Sequence, residues 1–515
     1  MYWPAIFLTI HTPGAAAATS FSRISEDLQI TYWIGVKRME SYPDLCADTP
    51  FMRVYRKANS IERLAMAKKD IEKNTVVFKS EAYYSVLRRE YLRSRCSNCL
   101  APNPPKRCSK CSVAQYCSEK CQLHDFFIGA HRRECPQLSK VLGLLTDPYL
   151  SETRFLMRTI HNSHECSKSS KGKKVDVCYM HPDGVTSCGM SHYNQLSTQC
   201  SFDPDARQNR ALVQFMREHS LAPSSVPTDM VIAEMKSLRT NSFGLFSDVF
   251  FTIGSGIFPQ AALLNHSCEP NIVLSYWYRQ TEHKPPLCVG IASRAIAENE
   301  ELTHSYVDAS LPVAERRAQL EELRGFVCKC KRCLLQEQSY SAFFSFTTEE
   351  IDLINELTRH FGDPLKLKEI LAADEMDRIR LPAIVERLLN DEKSCYSFDN
   401  YQNNSKSLEI QMQETLDNIT STDEMSVKVE NCQKAVALLK RITSFLVLSL
   451  HHIPMHPLVP IQIFTLADLL FFRGEDGDEA SREESKRYYQ WCSDVLSVTH
   501  PLGPSGSDLL NRLFL

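Results

Sequence analysis

Eight cysteine and histidine residues at metal-ligand spacing crowd the forty positions from Cys96 to Cys135. They are set as C-x2-C (Cys96, Cys99), C-x2-C (Cys108, Cys111), C-x3-C (Cys117, Cys121) and H-x3-C (His131, Cys135). A tight turn between two cysteines brings both thiolates to one ion, and four N/S ligands close a tetrahedron around Zn²⁺ that leaves no position for chemistry. Eight ligands suffice for two such sites, so this segment has to fold around metal and not around an apolar core. His131 and Cys135, with three residues between them, fall on one helical face, whereas His124 is an available but poorly spaced alternative ligand.

A chain of 515 residues is too long for one core and suggests roughly three or four domains. Its 20 cysteines cluster in metal-type pairs, which favours reduced thiolates in the cytosol or nucleus over a secreted disulfide framework. The net charge of −3 carries no broad nucleic-acid signature. Only the cysteine-rich segment is locally basic, through Arg107, Lys110, Lys120, Arg132 and Arg133. Met1 to Ile10 is apolar and Ala15 to Ala18 follows, but there is no basic region and Pro4 interrupts the run, so the start reads as an extension, disordered in part, and not as a signal peptide. No stretch has the length of a transmembrane helix.

Phe51 to Leu87 is strand-like, with Met52, Val54 and Tyr55, then Val76, Val77 and Phe78, then Tyr83 to Leu87 between polar turns. Leu138, Val141, Leu144 and Phe155 carry a helical period. From Asn162 to Asn209 the chain is polar, and Cys166, Cys178, Cys188 and Cys200 sit at intervals that match no ligand pairing, so the expectation there is a loop with free thiols. Strands return with Ile272 to Tyr278 and Leu287 to Ile291. The last 170 or so residues are helical by period: Val429, Cys432, Val436, Leu439, Ile442 and Leu446 step by three or four, Pro460 suits a first turn, Gly474 reads as a stop, and Tyr488, Trp491, Cys492 and Val495 share one side of a final helix. A stack of helical hairpins accounts for them.

Three further motifs follow in order: Asn265-His266-Ser267-Cys268-Glu269-Pro270-Asn271, Glu301-Leu302-Thr303-His304-Ser305-Tyr306, and Cys328-x-Cys330-x2-Cys333. Singly each is bland, and three cysteines lack a fourth ligand. Together they resemble the SET domain of protein lysine methyltransferases, and the eight-ligand insert resembles a MYND zinc finger, so the chain is similar to the SMYD-like (SET and MYND domain) family. The resemblance covers about Phe51 to Cys333 by motif, and the rest by architecture only.

That resemblance implies an α+β chain: a SET β-fold with a pseudoknot, split by an inserted MYND finger, then a post-SET zinc site and a C-terminal helical hairpin (TPR-like) domain. The implied segments are 1–50 extension, 51–95 first SET β segment, 96–135 finger, 136–240 helical linker and SET insertion, 241–326 SET core, 327–340 post-SET region and 341–515 helical domain. It implies three zinc ions, held by Cys96, Cys99, Cys117 and Cys121; by Cys108, Cys111, His131 and Cys135; and by Cys268, Cys328, Cys330 and Cys333. S-adenosylmethionine would be met by Asn241, Asn265, His266, Tyr306 and Phe326, with Tyr306 as catalytic residue, orienting a lysine amine and polarising the methyl in transit. The implied activity is protein-lysine N-methylation of histone and other substrates by a nuclear and cytoplasmic monomer and chromatin regulator. Proline-containing peptides would bind the finger, with DNA binding weak or absent and no membrane association. A scaffold with weak or lost catalysis is the alternative. Three positions depart from the family pattern. Ser60-Ile61-Glu62-Arg63-Leu64 lacks the glycines of a turn against the cofactor, Asn299 replaces a glycine, and Arg324 stands where a second active-site tyrosine is usual, with Glu321 or Glu322 as possible counter-charges.

Overall fold

The computed structural model describes residues 45–56, 63–169, 178–180, 185–188, 206–246, 252–341, 344–372, 380–403, 407–421, 424–456, 458–475 and 478–500. Most of the 1–50 extension, the glycine-free turn up to Glu62, and Cys200 lie outside them.

Strand Leu287–Ala292 organises the molecule. It pairs with Ile272–Trp277 on one side and Val76–Glu81 on the other, and parallel Val185–Cys188 and then Cys178–Met180 complete a five-stranded sheet. All six of its residues are buried, because side chains alternate between two cores. Leu287, Val289 and Ile291 pack with the C-terminal helices, and Cys288 and Ala292 pack with the N-terminal half. An apolar run with no polar alternation is what burial on both faces requires. The joint is reinforced where Thr499, at the end of helix Glu479–Thr499, accepts hydrogen bonds from Ser275 Oγ (2.6 Å) and Trp277 Nε1 (2.8 Å).

Two three-stranded sheets flank this one: Leu45–Asp48, Met52–Arg56 and Arg63–Ala67 in order, and Ser242–Phe246, Thr252–Ile257 and Tyr84–Leu87. Gly254 is fixed by close approach, since a Cβ there would stand 2.3 Å from the Val86 carbonyl oxygen. The finger interrupts the chain after Tyr84–Leu87 and leads into helices Leu138–Leu144 and Tyr149–Ser169. The expected single helical stretch is thus two helices, and the Asn162 to Asn209 stretch is no plain loop. Its start extends the second helix, two short strands lengthen the large sheet, and helix Ala206–Glu218 begins before it ends. Short alternation in a polar context hid these strands.

The C-terminal region is helical from Thr348–Arg359 to Glu479–Thr499, with Leu458–Glu475 packed along Glu479–Thr499 and along Met425–Ser449. Gly474 lies inside its helix, one residue before the end, so the stop falls slightly later than the sequence suggests. Among the described residues, no helix is long and apolar enough to cross a membrane.

Candidate active site and metal centres

In the finger, hairpin Lys106–Arg107 and Gln115–Tyr116 presents one pair of cysteines, while the Ser118 hydroxyl caps helix Glu119–Phe127 by accepting from the Cys121 amide, which turns Cys121 inward. Cys96, Cys99, Cys117 and Cys121 form one group and Cys108, Cys111, His131 and Cys135 another, with every ligand atom within 4.8 Å of its fellows. Representative separations are 3.5 Å (Cys99 to Cys117), 3.4 Å (Cys117 to Cys121), 3.7 Å (Cys108 to Cys135) and 3.6 Å (Cys111 Sγ to His131 Nε2). A Zn–S bond of about 2.3 Å gives tetrahedral edges of about 3.8 Å, so both groups could hold zinc. His124 instead meets Asn98 Oδ1 at 3.0 Å, and Asn98 Nδ2 donates to Cys121 Sγ and to the His283 carbonyl.

Behind His131 lies a buried ionic network. Its Nδ1 faces Glu134 Oε1 at 3.1 Å, and Glu134 accepts from Arg154 (3.0 Å) and Arg158 (2.5 Å). Burial opposes a charge on Glu134, but the two guanidinium groups prevail and hold its carboxyl well below the usual range. Arg158 also reaches Asp125, which accepts from the Tyr116 phenol, and Arg154 donates to the Leu87 carbonyl at 2.8 Å, which ties the ligand's support to the core sheet.

Cys268, Cys328, Cys330 and Cys333 gather in a third group of the same tightness, 60 residues and more separating the first from the rest. Arg316 donates to Cys333 Sγ and to Gln336, and Arg332 to the Cys268 and Ala309 carbonyls and toward His452 Nε2 (3.0 Å). Tyr306 and Val307 pack against this group.

Asn265–His266 pairs in parallel with Thr303–His304, and that crossing builds the candidate active site. Asn265 Nδ2 donates to Glu301 Oε1 (2.8 Å) and to the Arg63 carbonyl (2.7 Å), so its side chain clamps three segments. His266 Nδ1 accepts the Tyr306 N–H at 3.0 Å, which leaves the proton on Nε2, 3.2 Å from Cys268 Sγ. The ring is therefore a strut between Tyr306 and a metal-type cysteine. The Tyr306 hydroxyl donates to the Leu264 carbonyl at 2.7 Å. Burial pushes its phenol up to about 12, against the pull of Arg324 and Arg63, so it is neutral at ordinary pH.

Arg324 lies over the Tyr306 ring (Cζ 5.3 Å from its centroid). Its Nη1 donates to the Arg239 (3.0 Å) and Thr240 (2.6 Å) carbonyls, at the negative end of helix Thr228–Asn241. Asn241 is buried there, its Nδ2 donating to Ser237 O. Asn299 takes φ 62°, the left-handed geometry its replacement of glycine suggested. A cleft of about 380 Å³ opens beside the crossing, lined by His266, Glu269, Asn271, Glu301 and Thr303, with Phe326 at its edge, 6.0 Å from the His266 ring.

All the sequence-derived candidates that are described thus converge on one region or on the three cysteine groups. What the motifs did not single out is His304, which stands two residues before Tyr306 on the same side of the chain and is 5% exposed. Its ring packs 4.9 Å from Tyr306 and 5.8 Å from Phe243. The period-two alternation leading to Tyr306 was its only signal.

A family model described as the SET domain matches residues 62–307. The chain carries a SET domain. Histone-lysine N-methyltransferase SMYD3 of Mus musculus is 28% identical over 300 residues, 54% of this chain and 60% of that protein. N-lysine methyltransferase SMYD2 of Gallus gallus is 28% identical over 267 residues, 51% and 55% respectively. Histone-lysine N-methyltransferase ASHR1 of Arabidopsis thaliana is 24% identical over 267 residues, 52% and 51%. These relatives support the SMYD-like family for this SET domain, and the chain spans no more than 60% of their length.

Proposed function

We propose that this SET-domain chain is an S-adenosylmethionine-dependent protein-lysine N-methyltransferase. The observation that carries the reading is the parallel crossing of Asn265–His266 with Thr303–His304, which anchors Tyr306 at three points: its amide on His266, its hydroxyl on Leu264 and its ring against the Cys268 group. Beside that anchored phenol lies a buried polar atom without a partner among the described residues, His304 Nε2, as a ligand-binding interior would leave it. The donor set suits the cofactor. Asn241 would hold its amino-acid end, the Asn265 and His266 backbone its middle, and Phe326 its adenine. When bound, S-adenosylmethionine supplies an electrophilic methyl group on a sulfonium.

Tyr306 contributes position and polarity. Its oxygen, with the proton engaged by Leu264, keeps lone pairs for a lysine amine and for the polarised methyl hydrogens. Arg324, which with the glycine-free turn motivates the scaffold alternative, has its charge met by the end of helix Thr228–Asn241, which removes one of the two grounds for it. The three cysteine groups would hold three structural zinc ions, the third forming a wall of the site. The protein substrate would present a lysine, on a histone or another protein. The finger exposes Leu123, Phe127 and Ile128 around one helix, a surface suited to proline-containing peptides. A monomer of nucleus and cytoplasm with little DNA affinity completes the reading.

The test is methyl transfer from labelled S-adenosylmethionine to core histones by the zinc-loaded chain. Tyr306→Phe should lower kcat by about a hundredfold with little change in cofactor affinity. A wild-type protein that binds no S-adenosylmethionine by calorimetry ends the proposal.

A further inference from the structure

We propose that His304 is a second substrate-contacting residue, its Nε2 accepting one N–H of the acceptor lysine amine while the Tyr306 oxygen accepts the other. This deepens the methyltransferase reading and rests on it. Among the described residues, three side chains with nitrogen-bearing ends pack against the Tyr306 ring: His266, His304 and Arg324. Arg324 has only donors to offer. Both nitrogens of His266 are committed, one to the Tyr306 amide and one to Cys268. His304 is different. Its Nδ1 lies 3.0 Å from the Ser305 carbonyl, which can only accept, so Nδ1 carries the proton and Nε2 is a bare lone pair. That atom is buried and meets no donor among the described residues. Burial holds the imidazole neutral, down to about 3, and the neighbouring His266 and Arg324 act in the same direction, so the lone pair stays available at any working pH.

A neutral primary amine has two N–H bonds and one lone pair. Two acceptors that take both N–H bonds leave the lone pair a single direction, which is the alignment an in-line displacement needs. In the step itself the amine lone pair forms the new N–C bond as the methyl's C–S bond breaks, the electron pair leaving with sulfur. The resulting methylammonium then gives one proton to solvent. A monomethylated amine keeps one N–H and can satisfy only one acceptor, so the pair Tyr306 and His304 favours the first methylation over the second. Phe243 lines the other side of His304 and offers the lysine methylenes an apolar contact.

Asparagine and glutamine substitutions separate this role from simple packing. The longer amide of His304→Gln would set its oxygen near the place of Nε2, whereas the shorter amide of His304→Asn would reach only that of Nδ1, where its NH2 would donate to the Ser305 carbonyl and leave no acceptor at the place of Nε2. In the zinc-loaded full chain, His304→Gln should keep kcat on core histones within about threefold of wild type. His304→Asn should lower it about tenfold, the worth of one hydrogen bond, and raise the dimethyl to monomethyl ratio severalfold by mass spectrometry. Calorimetry with Nα-acetyl-lysine amide in the presence of S-adenosylhomocysteine should show the same order of affinities, about tenfold weaker for His304→Asn. Equal behaviour of the two folded variants in rate, product ratio and affinity would overturn the assignment and leave the enzyme reading standing. A wild type that holds the lysine probe yet transfers no methyl would end the enzyme reading, with His304 judged on affinity alone. A wild type that does neither overturns both.

Discussion

The finger and the third cysteine group use the same chemistry for different ends. In the finger, ligands come from one continuous stretch of forty residues, and the ionic support behind His131 comes from Glu134, Arg154 and Arg158. In the third group Cys268 comes from the crossing itself and the other three from beyond it, with Tyr306 packed against them and His266 bridging from Cys268 to the Tyr306 amide. One group folds an insert; the other is part of the wall that would hold the reacting atoms. The contrast teaches that ligand spacing reports on where a metal contributes: local pairs serve local folding, whereas a distant fourth ligand joins segments that have to meet.

The largest expected effect sets the two groups against each other. Cys268→Ser should cut methyl transfer by on the order of a hundredfold and reduce bound zinc from three to about two per chain by atomic absorption. Cys108→Ser should lose one zinc as well, yet keep most of the activity per folded molecule. Equal losses of activity in the two variants would erase the distinction. Next in size is Glu134→Gln, which leaves Arg154 and Arg158 without their buried carboxylate. It should lower stability by about 3–5 kcal/mol in urea titrations while the folded fraction keeps its kcat. Arg324→Met removes charged donors from the end of helix Thr228–Asn241 and should cost about 1.5–3 kcal/mol, read by the same titration. A gain in activity from that variant would mean that the guanidinium obstructs the site.

The smallest effect is in pH. Tyr306, up at about 12, stays neutral below that value, and His304, down at about 3, stays neutral above it. Neither changes charge between pH 5 and 10, so kcat should show one ascending limb, set by the acceptor amine, and the same limb in Tyr306→Phe. Stability behaves differently. The unfolded chain protonates His304 below about pH 6.5 and the folded chain does not, so this residue's contribution declines as pH falls from there.

Much of this was legible in the sequence, because metal ligands and the crossing motifs obey spacing rules that survive without tertiary context. Cys96 to Cys135 could be paired from turns and resemblance, and the Asn265 and Tyr306 motifs marked the crossing. The residues that adjust those motifs were not legible. For Arg324 the sequence offered only the nearby Glu321 and Glu322 as counter-charges, because its hydrogen-bond partners, the carbonyls of Arg239 and Thr240, are backbone atoms 85 and 84 residues away. His304 looked like filler between Leu302 and Tyr306, and only its burial and its unmet nitrogen set it apart. The strands Cys178–Met180 and Val185–Cys188 were hidden in a polar stretch because three or four residues are too few to display an alternating pattern.

Strand Leu287–Ala292 carries a consequence for anyone who would dissect the molecule. Since Leu287, Val289 and Ile291 belong to the helical core while Cys288 and Ala292 belong to the other, a cut after the third cysteine group would bare an apolar stripe on an inner strand of the sheet-rich half. Such a fragment should precipitate or recruit chaperones, and the intact chain should melt across that boundary as one cooperative body, even though its sequence divides into a sheet-rich front and a helical back.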